Sequence, residues 1–151
     1  MRVAGVVILS GLLLPGTAQA VDVTFTGLVV DTCTIALTTP GVMLLSNDGT
    51  ILGSDQGLGV PATVTVVSIG TNTISLAEPT LLTYPAGYTP GEETLEIAYT
   101  GLASHPLFSE MGLSFNVGLL SLSELFVDLK MTNPDGFVQG AYTAKTVLTC
   151  S

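Results

Sequence analysis

The fold is decided by residues 62–76, which read ATVTVVSIGTNTISL. Residues 62–69 are rich in β-branched side chains, which favour the extended backbone of a strand. Gly70 to Asn72 has the composition of a turn, and residues 73–76 resume as a second strand before Glu78-Pro79. The stretch therefore predicts a β-hairpin.

The same alternation of apolar and polar residues recurs on both sides of this hairpin, with turn clusters of Gly, Pro, Asn and Asp between the segments. The other predicted strands are found within 21–37, 95–99, 113–117, 125–131 and 142–150. Helical periodicity is nearly absent, and the one helix-like stretch, Leu107 to Met111, is short. About eight short strands predict an Ig-like antiparallel β-sandwich, with a closed barrel as the alternative.

Residues 1–20 have the three parts of a secretory signal peptide. Arg2 supplies a positive charge, residues 3–14 are an apolar run, and Ala18 and Ala20 are the small residues that a signal peptidase needs. The run is shorter than the roughly 20 residues of a membrane-spanning helix, so no stable membrane span is predicted. A buried N-terminal helix is the alternative.

Cleavage would leave Val21 as the first residue and 21–151 as a single β-sandwich domain, exported to the periplasm, the cell surface or the medium. This domain has twelve acidic residues against Lys130 and Lys145, a net charge of −10. Nucleic acids bind through Lys and Arg, so nucleic-acid binding is excluded. A chain that is 47% hydrophobic and 10% charged favours burial of surface against copies of itself or a partner.

Two cysteines, Cys33 and Cys150, lie in the exported part, where thiols oxidise and only one intramolecular pairing is possible. Cys33 shares the parity of Phe25 and Val29, and Cys150 that of Leu148, so both thiols are expected on the apolar side of their strands. A disulfide between them would tie the first strands to the last, for at most about 4–5 kcal/mol. Two free buried thiols, or an intermolecular bridge, are the alternatives.

No catalytic site is predicted. His105 is the only histidine, it precedes Pro106 in what is expected to be an exposed loop, and the Gly-x-Ser-x-Gly motif of serine hydrolases is absent. Zinc needs several His or Cys ligands. Glu92, Glu93 and Glu96 cluster as the acids of a glycosidase would, but their positions predict a solvated loop and strand edge. The chain is expected to be no enzyme and to use no cofactor.

A second class of function, a binding module, rests on two predicted loops. The loop 47–61 carries Asn47, Asp48 and Asp55, oxygen-bearing residues that are weak candidates for calcium ligands, although turn residues have the same composition. The loop 84–93 carries Tyr84 and Tyr88, which could stack on a glycan or instead cover one end of the sandwich.

Two segments resemble a known family. Val23 to Ile35, VTFTGLVVDTCTI, resembles the start of the pilin domain of chaperone–usher fimbriae: an alternating strand, Phe-x-Gly, two aliphatics, Cys and an aliphatic residue. Gly140 to Thr149, GAYTAKTVLT, resembles the closing strand of the related spore-coat-U and fimbrial-like secreted domains. The resemblance implies an Ig-like sandwich that lacks one strand and receives it from a neighbouring subunit.

The resemblance implies a non-enzymatic structural subunit of a fimbrium or pilus at the cell surface, which associates with itself or a related subunit by strand pairing. Two features differ from the family: only Val21 to Thr24 would precede Phe25, and the second cysteine lies at the C-terminal end. They indicate a divergent relative or a self-complete sandwich. Residues 21–30 are the chain's own candidate for a donated strand, although Cys33 follows closely. A periplasmic or extracellular β-sandwich that binds glycan or calcium remains the alternative.

Overall fold

A computed structural model describes Thr24, Thr26, Gly27, residues 31–118 and residues 120–151. The predicted signal peptide, including Ala18, Ala20 and Val21, lies outside these residues. The strands are β1 (Thr32–Thr39), β2 (Leu44–Leu45), β3 (Ile51–Gly53), β4 (Ala62–Ile69), β5 (Asn72–Leu76), β6 (Thr80–Thr83), β7 (Thr94–Gly101), β8 (His105–Ser109), β9 (Leu113–Val117), β10 (Leu120–Thr132), β11 (Thr143–Lys145) and β12 (Leu148–Cys150).

The predicted all-β class is confirmed, because the described strands pair antiparallel in a sandwich-like arrangement and the described residues form no helix. The described part of the chain therefore offers no helix able to cross a membrane. The short helix-like stretch Leu107 to Met111 forms no helix: it begins inside β8, where pairing with β7 overrides the local pattern. The described residues form twelve strands against the expected eight, because the segment 142–150 is divided into β11 and β12 and because β2, β3, β6 and β8 lie outside the predicted segments, β3 within the predicted loop 47–61.

The larger layer is built around β10, the longest strand. One edge of β10 pairs with β4 and then with β3, and the other edge pairs with β7. β1 pairs with β4, β8 with β7, and β2 with β3, which completes a seven-stranded sheet. Because β1 and β8 end this sheet, the described strands do not close into a barrel.

A bend carries two strands from the larger layer into the smaller one. Ile69 of β4 faces Leu120 of β10, and Asn72 of β5 faces Val117 of β9, so the pairing keeps its register across the bend. Gly70 has a φ of 89°, a conformation that residues with a Cβ rarely adopt. The chain therefore turns at this glycine, but the predicted β-hairpin is wrong: β4 pairs with β1 and β10, whereas β5 pairs with β12 and β9 in the other layer.

The smaller layer consists of β12, β5 and β9, extended by the pair β11 and β6. Hydrogen bonds also link the chain between the β5/β12 pair and the β6/β11 pair. There the Ala77 N–H donates to the Val147 carbonyl at 2.9 Å, and the Thr146 hydroxyl donates to the Ala77 carbonyl at 2.6 Å. Residues 72–83 and 143–151 thus form one continuous antiparallel ribbon. Residues 143–151 are its outer segment.

The core lies between the two layers and follows the predicted alternation. The buried residues of the stretch 62–76 are all even-numbered, and the polar ones among them, Ser68 and Asn72, are joined by a hydrogen bond of 2.8 Å. Burial of these polar groups is therefore accompanied by pairing, as the interior requires. The core residues are Val64, Val66, Ile74, Leu76, Ile97, Tyr99, Val117, Leu125 and Val127.

Candidate functional site

An apolar groove lies between the larger layer and the outer segment of the ribbon. Its central cavity has a volume of about 310 Å³, and a neighbouring cavity of about 430 Å³ shares Gly41, Met43, Thr143 and Ala144 with it. The two cavities therefore adjoin, and together they are called the groove. Its main wall residues are Leu37, Ala62, Val64, Val127 and Leu129 from the larger layer, and Ala144, Lys145 and Leu148 from the ribbon.

Leu37 shows that the smaller layer leaves this part of the sheet uncovered. It shares the inward parity of Cys33 and Ile35, and in the ladder it faces the buried Val64 of β4. Cys33 and Ile35 pack against the core, yet 63% of Leu37 is exposed. The groove is therefore an accessible apolar surface on the inner face of the sheet.

Two unpaired strand edges border the groove. Among the described residues, β1 pairs only with β4, and β12 only with β5. Thr73 and Ser151 exchange two backbone hydrogen bonds, at 2.6 and 3.0 Å. Since successive residues of an antiparallel strand direct their N–H and C=O groups to opposite sides, those of Leu148 and Cys150 point away from β5, toward the open edge. Such an edge can hydrogen-bond to an added strand.

The predicted disulfide joins these two edges. Cys33 on β1 is bonded to Cys150 on β12, with 6.1 Å between their Cα atoms and 117 residues between them in sequence. The described residues include no free cysteine. We call the bridged end of β1 and β12 the closed end of the groove, and the region of the lining residues Leu37, Gly41 and Tyr142 its open end.

Lys145 supplies a cationic residue at the groove. Lys130 is already engaged, because its ammonium lies 2.9 Å from a carboxylate oxygen of Glu96 and 4.2 Å from the ring centroid of Phe108. Lys145 is exposed, and no carboxylate of the described residues lies within 4.0 Å of its ammonium. Its charge is therefore available to a group outside the described structure.

The calcium candidates are turn residues in the structure. The Asp48 carboxylate accepts hydrogen bonds from the Ser46 hydroxyl, at 2.5 Å, and from the Thr50 N–H, at 3.1 Å, and both lower the pKa of Asp48. Asn47 and Asp55 lie in exposed turns before and after β3. Within 31–118 and 120–151 no three acidic, His or Cys side chains gather in one place. Asp48 and Asp55 therefore belong to no cluster of three acidic, His or Cys side chains in the described residues.

The two candidate glycan-stacking tyrosines have different surroundings. Tyr88 is 8% exposed, and its ring packs within about 5–6 Å of Phe137 and Tyr142. Tyr84 lies 5.9 Å from Tyr88 and is 46% exposed. Tyr88 therefore covers the end of the sandwich, as the structural alternative for this loop predicted, and only Tyr84 offers an open ring.

Hydrogen bonds fix Tyr88 in this aromatic cluster. Its hydroxyl donates to the Glu93 carboxylate at 3.0 Å and accepts from the Asn133 amide at 3.2 Å. Burial and the Glu93 carboxylate raise the pKa of Tyr88 to about 12. Burial opposes ionisation of Glu93, but hydrogen bonds from the Gly91 N–H and the Tyr88 hydroxyl outweigh it and hold the pKa of Glu93 below its usual range. The network therefore has a structural role.

The remaining acids and the histidine are separated. Glu93 binds Tyr88, Glu96 pairs with Lys130, and Glu92 is exposed. His105 is not in a loop as expected: it begins β8 and is half-buried beside Tyr99, with 5.9 Å between the ring centroids, because β8 pairs with β7.

The residues that matter most at the groove, Leu37 and Lys145, were missing from the predicted site. The alternation of side chains along the strand already placed Leu37 on the inner face of β1. No sequence pattern, however, shows where the second layer stops covering that face. Lys145 was noted only as one of two cations. No protein-family model matches the chain, and a search of curated proteins finds no match.

Proposed function

We propose that this protein is a non-enzymatic, exported structural subunit of a fimbrial or pilus-like assembly. Its subunits associate with copies of themselves or with a related subunit by strand pairing. The observation that carries the proposal is the apolar groove bordered by the unpaired edges of β1 and the outer ribbon segment.

The groove has the two properties that strand addition requires. Backbone N–H and C=O groups at Leu148 and Cys150 point to the open edge and can pair with a strand. The wall beneath is apolar, with Leu37 and Leu129 available to alternate side chains of that strand. An added strand would form hydrogen bonds with these backbone groups and bury the apolar wall.

The composition and the disulfide also support this function. A 47% hydrophobic chain with a largely uncovered Leu37 gains free energy by burying that surface in an assembly. A Cys33–Cys150 bridge is compatible with an oxidising compartment outside the cytoplasm. The glycan- and calcium-binding alternative has less support, because Tyr88 is buried and Asp48 is engaged by its own turn.

The test compares self-association of the exported, oxidised protein with that of a groove variant. Sedimentation velocity over a concentration series is expected to show oligomers that grow with concentration. Leu37→Glu places a charge in the groove at a largely exposed position, so it should abolish association while the variant stays folded by circular dichroism.

Leu122→Glu is the matched control. Leu122 is 75% exposed and lies on the outer face of β10, opposite Val67 of β4 and away from the groove. The Leu122→Glu variant should associate as the unaltered protein does. A protein that stays monomeric at high concentration, with no filaments or surface material on producing cells, would contradict the proposal, as would an effect of Leu122→Glu larger than that of Leu37→Glu.

A further inference from the structure

We infer that the central cavity of the groove is a binding site for a small molecule, a single-chain amphipathic carboxylate such as a medium-chain fatty acid. The alkyl chain lies on the apolar wall and the carboxylate lies at Lys145. The inference goes beyond the proposed function, because it assigns the protein a lipid-like ligand that strand pairing does not require.

The central cavity has the size and the lining of a site for one alkyl chain. Its volume of about 310 Å³ is at the lower end of the range for small-molecule pockets, about 300–1,000 Å³. Leu37 and Leu129 line it from the larger layer, and Leu148 lines it from the ribbon. A cavity of this size and composition suits one narrow apolar chain better than a two-chain lipid.

Met43 makes the apolar wall adaptable. Its side chain is half-buried and lines both the central cavity and the neighbouring one. Methionine is unbranched and has three rotatable bonds, so it can follow alkyl chains that differ in length or bend. The site should therefore accept a series of chain lengths, with an affinity set by the apolar area that each chain buries.

Lys145 favours an anionic head group. Twelve acidic residues outnumber the three basic ones, so the field of the chain repels anions over most of its surface. Lys130 pairs with Glu96, whereas Lys145 has no carboxylate partner among the described residues. Lys145 lines the central cavity and is also exposed. A carboxylate can therefore pair with this ammonium while it stays in contact with water.

The open edge of β12 offers the head group a second donor. The Leu148 N–H points away from β5, toward the open edge, and the Leu148 side chain lines the cavity. A carboxylate accepts hydrogen bonds from ammonium and backbone N–H groups, and such charged hydrogen bonds are the stronger ones. A cationic head group could accept from neither donor. The polar groups at this side of the cavity therefore select a carboxylate.

A chain-length series tests the site on the exported, oxidised protein, at a concentration where it is monomeric. Hexanoate, octanoate, decanoate and dodecanoate are titrated by calorimetry, each below its micelle concentration. Each should bind one molecule per chain, with an affinity that rises about two- to fourfold for each added methylene. An affinity that does not depend on chain length would overturn the inference.

Leu37→Glu locates the ligand in the groove. The new carboxylate interrupts the apolar wall and repels the ligand, so dodecanoate binding should be lost. Leu122→Glu, the control on the outer face of β10, adds the same charge and should bind dodecanoate as the unaltered protein does. Equal binding by the two variants would place the ligand elsewhere and overturn the inference.

Lys145→Gln and Lys130→Gln test the head-group contact, since each removes one lysine. Lys145→Gln should weaken dodecanoate binding about two- to fivefold and leave dodecanol binding unchanged. Lys130→Gln should leave the binding of both ligands unchanged. Equal effects of the two substitutions on dodecanoate, or an equal loss of dodecanoate and dodecanol binding in Lys145→Gln, would overturn the role of Lys145.

The outcomes separate the inference from the proposed function. A protein that associates but does not bind dodecanoate would overturn the inference and leave strand pairing in place. A protein that binds dodecanoate but stays monomeric in its absence would contradict the proposed function and leave the ligand site. Where both hold, saturating dodecanoate should dissociate the oligomers in sedimentation velocity, because the alkyl chain covers the wall that an added strand needs. Oligomers that persist would overturn the placement of the ligand in the groove.

Discussion

The closed and open ends of the groove use the same strand, β1, in opposite ways. At the closed end, Cys33 packs against the core and is bonded to Cys150 on the facing layer. At the open end, Leu37 has the same inward parity but is 63% exposed. The comparison teaches that alternation decides which face of a strand is apolar, whereas cover by a second layer decides whether that face is core or binding surface.

A separate set of contacts, centred on Tyr88, stabilises the open end of the groove. Tyr88 joins the loop after β6 to the loop after β10 through Glu93, Asn133 and the rings of Phe137 and Tyr142. This aromatic cluster lies beside the second cavity, which Tyr142 also lines. A covalent bridge therefore holds one end of the groove, and a hydrogen-bonded aromatic cluster holds the other.

Removal of the bridge should produce the largest effect on stability. Cys33→Ser/Cys150→Ser is expected to lower the free energy of unfolding by about 3–4 kcal/mol, because the bridge closes a long loop in the unfolded chain. Guanidinium unfolding of the oxidised protein and the double variant measures the difference. Non-reducing mass spectrometry provides the control by showing the bridge in the parent. A loss below about 1 kcal/mol would contradict the importance given to the closed end.

Truncations at the two ends should differ sharply. Ile74→Ala removes a side chain that is 0% exposed in the core, so we expect a loss of about 2–4 kcal/mol. Leu37→Ala should cost less than about 1 kcal/mol in the monomer, since Leu37 is already largely exposed. Urea unfolding at a concentration where the protein is monomeric makes the comparison. Equal losses would mean that Leu37 is a core residue.

The smallest effect is expected at alkaline pH and concerns Tyr88. Its pKa is about 12 in the folded chain and about 10 when unfolded. The folded chain therefore holds this proton more tightly, and the resulting stability is complete below about pH 10 and is lost as the pH rises to about 12. Between about pH 10 and pH 12, the free energy of unfolding of Tyr88→Phe should therefore fall by about 1–2 kcal/mol less than that of the parent protein.

Urea unfolding at several pH values between 8 and 12 measures this difference. Tyr84→Phe is the control, because Tyr84 lies in the same cluster but is 46% exposed. Equal pH dependence in the parent and in Tyr88→Phe would show that burial of Tyr88 does not stabilise the open end.

The sequence predicted the parts of the fold that depend on local pattern. The stretch 62–76 forms the expected two strands, with its even-numbered residues buried, because a period of two sends alternate side chains to one face. The pairing of Cys33 with Cys150 also followed, since both cysteines have inward parity and no third cysteine competes. The burial pattern is set by neighbours in the chain, whereas the cysteine pairing was predicted because two cysteines allow only one intramolecular bridge.

Local pattern was misleading where distant segments determine the structure. Residues 107–111 looked helix-like and His105 looked exposed, but pairing with the edge of β7 places His105 and residues 107–109 in β8. The sequence placed Tyr88 in a loop where it could bind a ligand. In the structure Tyr88 is buried, because its ring packs against Phe137 and Tyr142, about fifty residues away in the chain.

By itself, the sequence determined the all-β class and the apolar face of each main strand, because each depends on residue type and parity, and it limited an intramolecular disulfide to Cys33 and Cys150. Only the tertiary structure decided that the second layer covers Cys33 and Ile35 but stops before Leu37, and that Lys145 lies at the groove with no carboxylate partner among the described residues. The physical reason is that cover and edge pairing are contacts between segments up to about a hundred residues apart, and no periodicity within one segment encodes them.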